Sequence, residues 1–245
     1  MPSTAPILKS VVVRKVDSPN VTRTTTKYLN FEQLQSMGES AVTVIKLMMA
    51  CNDLSLANQS LSEWKKELPS TKKFRQAGAE IYFVRLQFAH LYEGLKVIEE
   101  IKNDAQLMAV VARCDGQTQR SFNELEQFLP KASKRAEFKQ LVELVRHSLT
   151  FHYDESGKLI GRAILDRAAH PEARMSSITR GDSAALWHFK VADDIVDSIV
   201  VRQIWAIPRN QDTRVVADQI ADRVHEIFLW FVDFAGEFIW NCCES

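Results

Sequence analysis

AGAEIYFVRLQFAHLYEGLKVI, residues Ala77–Ile98, decides the fold class. Its apolar residues Ala77, Ile81, Val84, Phe88, Leu91, Leu95 and Ile98 recur at alternating steps of four and three. That is the period of one helical face, and it runs unbroken for about six turns. An apolar seam of this length needs other helices over it, within a bundle or across a dimer. The sequence therefore reads as all-α, a multi-helix up-and-down bundle.

Working outward, the same period recurs on both sides. Before the seam, Asn30 with Gln33 forms a helix start, and Leu34, Ala41, Ile45, Met48, Met49, Leu61 and Trp64 continue one face until Pro69. After it, Asp104 is placed to cap a short helix through Val111, with Asp115-Gly116 closing it. Ser121 and Glu124 have the spacing of a capping box, and Pro130 stops that element. A helix over about 132–152 presents Phe138, Leu141, Val142, Val145 and Leu149, and Ser156-Gly157 breaks it.

A short helix follows over 158–170, then a small β-hairpin within Ser176–Lys190 and a helix from Asp193 to Trp205. The last helix starts near Asp212 and carries Val216, Ile220, Val224, Ile227, Phe231, Phe234 and Phe238. Residues 1–28 read as an N-terminal arm, disordered or with a short strand at Val11–Val13. Residues 29–157 read as the main bundle, and 158–245 as an extension packed on it.

Eight glycines and seven prolines in 245 residues supply few tight turns, which also disfavours a sandwich or barrel. The net charge is zero, so no global basic field points to nucleic acid, although Lys131, Lys134, Arg135 and Lys139 form a local basic run. Four cysteines without paired spacing give no zinc motif, and neither a metal nor a cofactor is expected. P-loop, serine-esterase and zincin motifs are missing. The opening residues MPSTAPILKS lack the apolar core of a signal peptide, so a cytoplasmic location is expected. The apolar run Ile227–Val232 is too short to span a bilayer, and no membrane partner is expected.

One segment carries candidate chemistry: Arg146-His147-Ser148-Leu149-Thr150-Phe151-His152-Tyr153-Asp154. A guanidinium holds phosphate through paired hydrogen bonds and stabilises charge that grows in a transition state. An imidazole near the end of a helix titrates close to neutrality, and the helix dipole favours its protonated form. A structural alternative stands beside this, in which His152 is a helix cap and Arg146 pairs with an acid such as Glu143 or Asp154. The seam helix holds a second pair of similar spacing, Arg85 and His90.

The Arg146–His152 segment resembles the R-x(4–6)-H signature of the HEPN superfamily (higher-eukaryote and prokaryote nucleotide-binding domains). The resemblance implies an all-α dimer that cleaves single-stranded RNA without metal, through attack of the ribose 2′-hydroxyl on the adjacent phosphate. It also implies a place in a toxin–antitoxin or defence system. Arg146 and His152 would be catalytic, His147 would take the polar position after the arginine, and Tyr153 and Asp154 would support the site. The expected partners are RNA, a second copy of the chain, and a protein partner or antitoxin. The alternative is a non-catalytic interaction module, scaffold or regulatory, and a further one is nucleotide binding without cleavage. Geometry separates them: Arg146 and His152 buried and paired would count against the enzyme, and an open cleft would count for it.

Overall fold

The computed structural model describes residues 12–13, 25–26, 31–66, 76–150, 154–180, 182 and 188–242, and its fold is an all-α bundle. Two short antiparallel ladders accompany the helices. β1 (Val12–Val13) pairs with β2 (Thr25–Thr26), and β3 (Ile178–Thr179) pairs with β4 (His188–Phe189) in the expected hairpin, Ile178 opposite Phe189.

The first expected helix is two. α1 (Phe31–Ser36) ends where Gly38 takes φ +62°, and α2 (Glu39–Lys66) starts directly after it. Glycine enters the left-handed region without a Cβ clash, which lets the chain turn a corner there. α2 buries Val44, Leu47, Leu54 and Ala57 against α3 and α9, a face rotated from the expected one, so that Ile45 and Met49 are exposed. Within it, Glu39–Glu63 is long and apolar enough to cross a membrane by length and composition, with 39% of the apolar window buried inside the protein.

α3 (Gln76–Asn103) is the seam helix. Phe88, Leu91, Leu95 and Ile98 are all buried, while Ala77 and Ile81 have side chains outside the described residues. Each fully covered side chain of this size contributes about 1.5–3 kcal/mol, so this face dominates the local energetics. Gly94 sits on it because α9 comes very close: a Cβ there would lie 2.7 Å from the Phe231 ring.

Asp104 caps α4 (Ala105–Val111) as expected, accepting from the Gln106 and Leu107 amides. Asp115-Gly116 does not close that helix. Asp115 instead opens α5 (Gly116–Glu126) by accepting from the Thr118 amide at 2.7 Å. Ser121 therefore lies inside α5, with its side chain buried, and is no cap. Once Asp115 has satisfied the first turn, the Ser-x-x-Glu spacing is incidental.

α6 (Arg135–Phe138) runs on into two π-helical turns, Lys139–Glu143 and Arg146–Thr150, which pack on α3. Its apolar residues Phe138, Val142, Val145 and Leu149 are buried, as their spacing requires. α7 (Lys158–Ala169) follows. α8 (Lys190–Ser198) continues as a π-helical stretch, Ile199–Ile204, somewhat longer than the Asp193–Trp205 helix expected. α9 (Thr213–Cys242) lies across α5 and α2, with Ile227, Phe231, Phe234 and Phe238 fully buried. Phe234 stacks near Phe122 and Phe238, and one continuous core joins residues on both sides of position 157.

Candidate functional site

Arg146 sits at the start of the second π-helical turn, and α3 supplies its surroundings. Its Nη2 donates to Glu93 Oε1 at 2.9 Å, and Nη1 lies 3.1 Å from His147 Nδ1. The guanidinium carbon is 5.1 Å from the centre of the Tyr92 ring. Lys96 holds the other Glu93 oxygen at 2.9 Å and sits over the same ring. The sequence offered Glu143 or Asp154 as the acid; the structure pairs Arg146 with Glu93, 53 residues away. With 21% of its side chain exposed, Arg146 is closed in on three sides by its own chain.

His147 packs its ring edge-on to Tyr92 and lies 3.9 Å from Glu143, which Arg135 also engages. Asp154 ends the segment in the left-handed region, φ 51°, with its amide donating back to Ser148 O at 2.8 Å. Its carboxylate accepts from the amides of Leu159 and Ile160 and from Ser156 Oγ. Asp154 thus secures the start of α7, and these bonds, the Ile160 amide foremost, hold its carboxyl below the ordinary carboxylate range. His152 and Tyr153 lie outside the described residues. The second motif-like pair is separated by its contacts: Arg85 donates to Leu149 O at 2.6 Å, and His90 lies 3.8 Å from Asp53. His188 bonds Asp193 at 2.9 Å, and no cluster of three potential metal ligands exists among the described residues.

The larger feature is one the sequence reading missed. A cavity of about 450 Å³ opens between α2, α3, the Ile199–Ile204 stretch and α9. Its walls are mainly apolar, with Leu54, Val84, Phe88, Val200, Trp205 and Phe228 among them. Four charged side chains also line it: Arg85, Asp197, Asp218 and Asp222. His225 stands beside them, its ring stacked on Phe228. Size, apolar walls and a few converging polar groups are the general properties of a small-molecule site.

Asp197 is the most unusual member. It makes no hydrogen bond or ion pair with any described residue, because the nearest cations are engaged elsewhere. Arg167 binds Asp194, Lys190 also binds Asp194, and Arg202 donates to Ile207 O and Thr213. The residue is exposed, yet nearby protein desolvates its carboxyl and raises its pKa. Asp218, Ala221, Asp222 and His225 follow helical spacing on α9 and so share one face. The signal in the sequence was Asp218 and Asp222 at i and i+4: like charges there destabilise a helix.

Compared with known proteins, the chain matches no family model, no curated protein and no solved structure.

Proposed function

We propose that this chain is a non-catalytic, regulatory helical module that binds a small, largely apolar molecule in the cavity between α2, α3, α8 and α9. The observation that carries this reading is the cavity itself, apolar-walled and lined by carboxylates without partners among the described residues. The engagement of Arg146 by Glu93, Tyr92 and His147 supports a structural role for that arginine. The test is a fragment screen by NMR on isotopically labelled protein. Binders are expected to shift the signals of Val84, Val200 and Phe228. Ala221→Trp, which fills the cavity from α9, is expected to abolish those shifts while leaving the fold intact. Fragments that bind only elsewhere, or equally well to the filled variant, would overturn the reading.

The second reading is the metal-independent endoribonuclease of HEPN type, acting as a cytoplasmic homodimer in a toxin–antitoxin or defence setting. What favours it is the π-helical turn Arg146–Thr150, a distortion that recurs at functional sites and here contains both Arg146 and His147. The dimer this reading needs has a candidate face on α2. Val42, Ile45, Met49 and Leu56 are exposed there at steps of three, four and seven, the spacing of a helix–helix seam. End-labelled single-stranded RNA incubated in EDTA decides the matter. Cutting by wild type that Arg146→Ala and His152→Ala both abolish would establish the nuclease; intact RNA would remove it.

A further inference from the structure

We propose that the molecule taken up by the cavity is an amphipathic amine, with an apolar body against the helical walls and a protonated nitrogen at Asp197 and the Asp218–Asp222 rim. This rests on the ligand-binding reading above and adds the charge of the ligand. Three carboxylates face one guanidinium among the lining residues, and Arg85 already donates to the Leu149 carbonyl. An anionic ligand would meet those carboxylates and be repelled. A neutral ligand would leave Asp197 as it is, crowded by protein and without a counter-ion in contact. An ammonium group gives that exposed carboxylate, at the edge of an apolar cavity, a charge-assisted hydrogen bond that a neutral ligand cannot.

Other cations fit less well. A bare metal ion needs several ligands converging on one point, and no such cluster exists among the described residues. A polyamine without an apolar body would leave the walls formed by Leu54, Phe88 and Phe228 uncovered. The amphipathic amine matches both halves of the site.

The experiment is isothermal titration of the full chain with three probes of one shape: 4-phenylbutylamine, 4-phenylbutan-1-ol and 4-phenylbutyrate. The amine is expected to bind about tenfold tighter than the alcohol or better, with the acid weakest. Asp197→Asn is expected to erase the preference for the amine while alcohol binding persists. Asp218→Asn combined with Asp222→Asn provides a second route on the exposed rim, where folding is least at risk, and is expected to weaken the same preference. If alcohol and amine bind equally to wild type, the cationic inference falls and the cavity remains a binding site. Should none of the three bind, the ligand-binding reading falls and takes this inference with it.

Discussion

Whether Arg146 is a structural residue is open to a double-mutant cycle with Glu93. The pair is joined at 2.9 Å, with the arginine 21% and the glutamate 46% exposed. Exposed ion pairs couple by about 0.2–1 kcal/mol. Here the arginine end is mostly covered and its orientation is fixed by Tyr92, which places the coupling in the upper half of that range, about 0.5–1 kcal/mol. Arg146→Ala also loses the stacking on Tyr92, worth roughly another 0.5–1 kcal/mol, so the single variant is expected to cost about 1–2 kcal/mol. Glu93→Gln loses the charge on the other side and disturbs Lys96 as well, but that second effect cancels in the cycle. Urea unfolding of wild type, both single variants and the double variant supplies the four free energies. A coupling of about 0.5–1 kcal/mol supports the structural assignment. A coupling indistinguishable from zero would refute it, because the arginine would then be available to another partner.

Three further outcomes follow from the geometry. Gly94→Ala drives a methyl into the buried Phe231 ring; overpacking of about 1–3 kcal/mol outweighs a helix-propensity gain of about 1 kcal/mol, and a lower urea midpoint is expected. Unchanged stability would mean that α3 and α9 are further apart than described. Asp197→Asn is expected to stabilise the unliganded protein at neutral pH: a raised carboxyl favours the fold at low pH and loses that contribution as pH rises through its folded value. Desolvation sets this direction first, followed by the charges of Arg167 on α7 and of Asp194, Arg202 and Lys190 along its own helical stretch, while Arg85, Asp218, Asp222 and His225 share the cavity lining with it. Melting temperatures of wild type and variant between pH 4 and 8 should diverge upward, and parallel curves would contradict the desolvation of that carboxyl. Asp154→Asn works with the opposite sign. The stabilisation from this lowered carboxyl is present above the ordinary range near 3.9 and fades as pH falls through the folded value, so the variant should be weaker at pH 7 and converge with wild type in acid.

The parts of this molecule that the sequence revealed are those governed by near neighbours. Phe88, Leu91, Leu95 and Ile98 announced a buried helical face because helical period depends on three- and four-residue steps alone. Asp104 announced its cap for the same reason. Asp115 misled because an aspartate before glycine suits either the end of one helix or the start of the next, and only the Thr118 amide decides which. The acid that holds Arg146 was beyond reach for a different reason. Glu143 and Asp154 are local, but α3 carries Glu93 into place through packing of the seam on the π-helical turn. The cavity drew its lining from α2, α3, α8 and α9, so no window of sequence contained it.

These cases bear on the two functional readings together. The short Arg146–His152 pattern is a local signal, and the described half of it meets local and seam-helix partners that support the proposed structural role of Arg146. The cavity carboxylates present the reverse situation. Asp197 stands on α8 and Asp218 and Asp222 on α9, and the cations around Asp197 are engaged with other acids and carbonyls. An ion pair such as Arg146–Glu93 is complete within the chain, whereas a desolvated carboxylate without a salt-bridge partner among the described residues gains from binding a cation. That difference is why the proposed ligand site, rather than the arginine motif, is the first of the two readings to test.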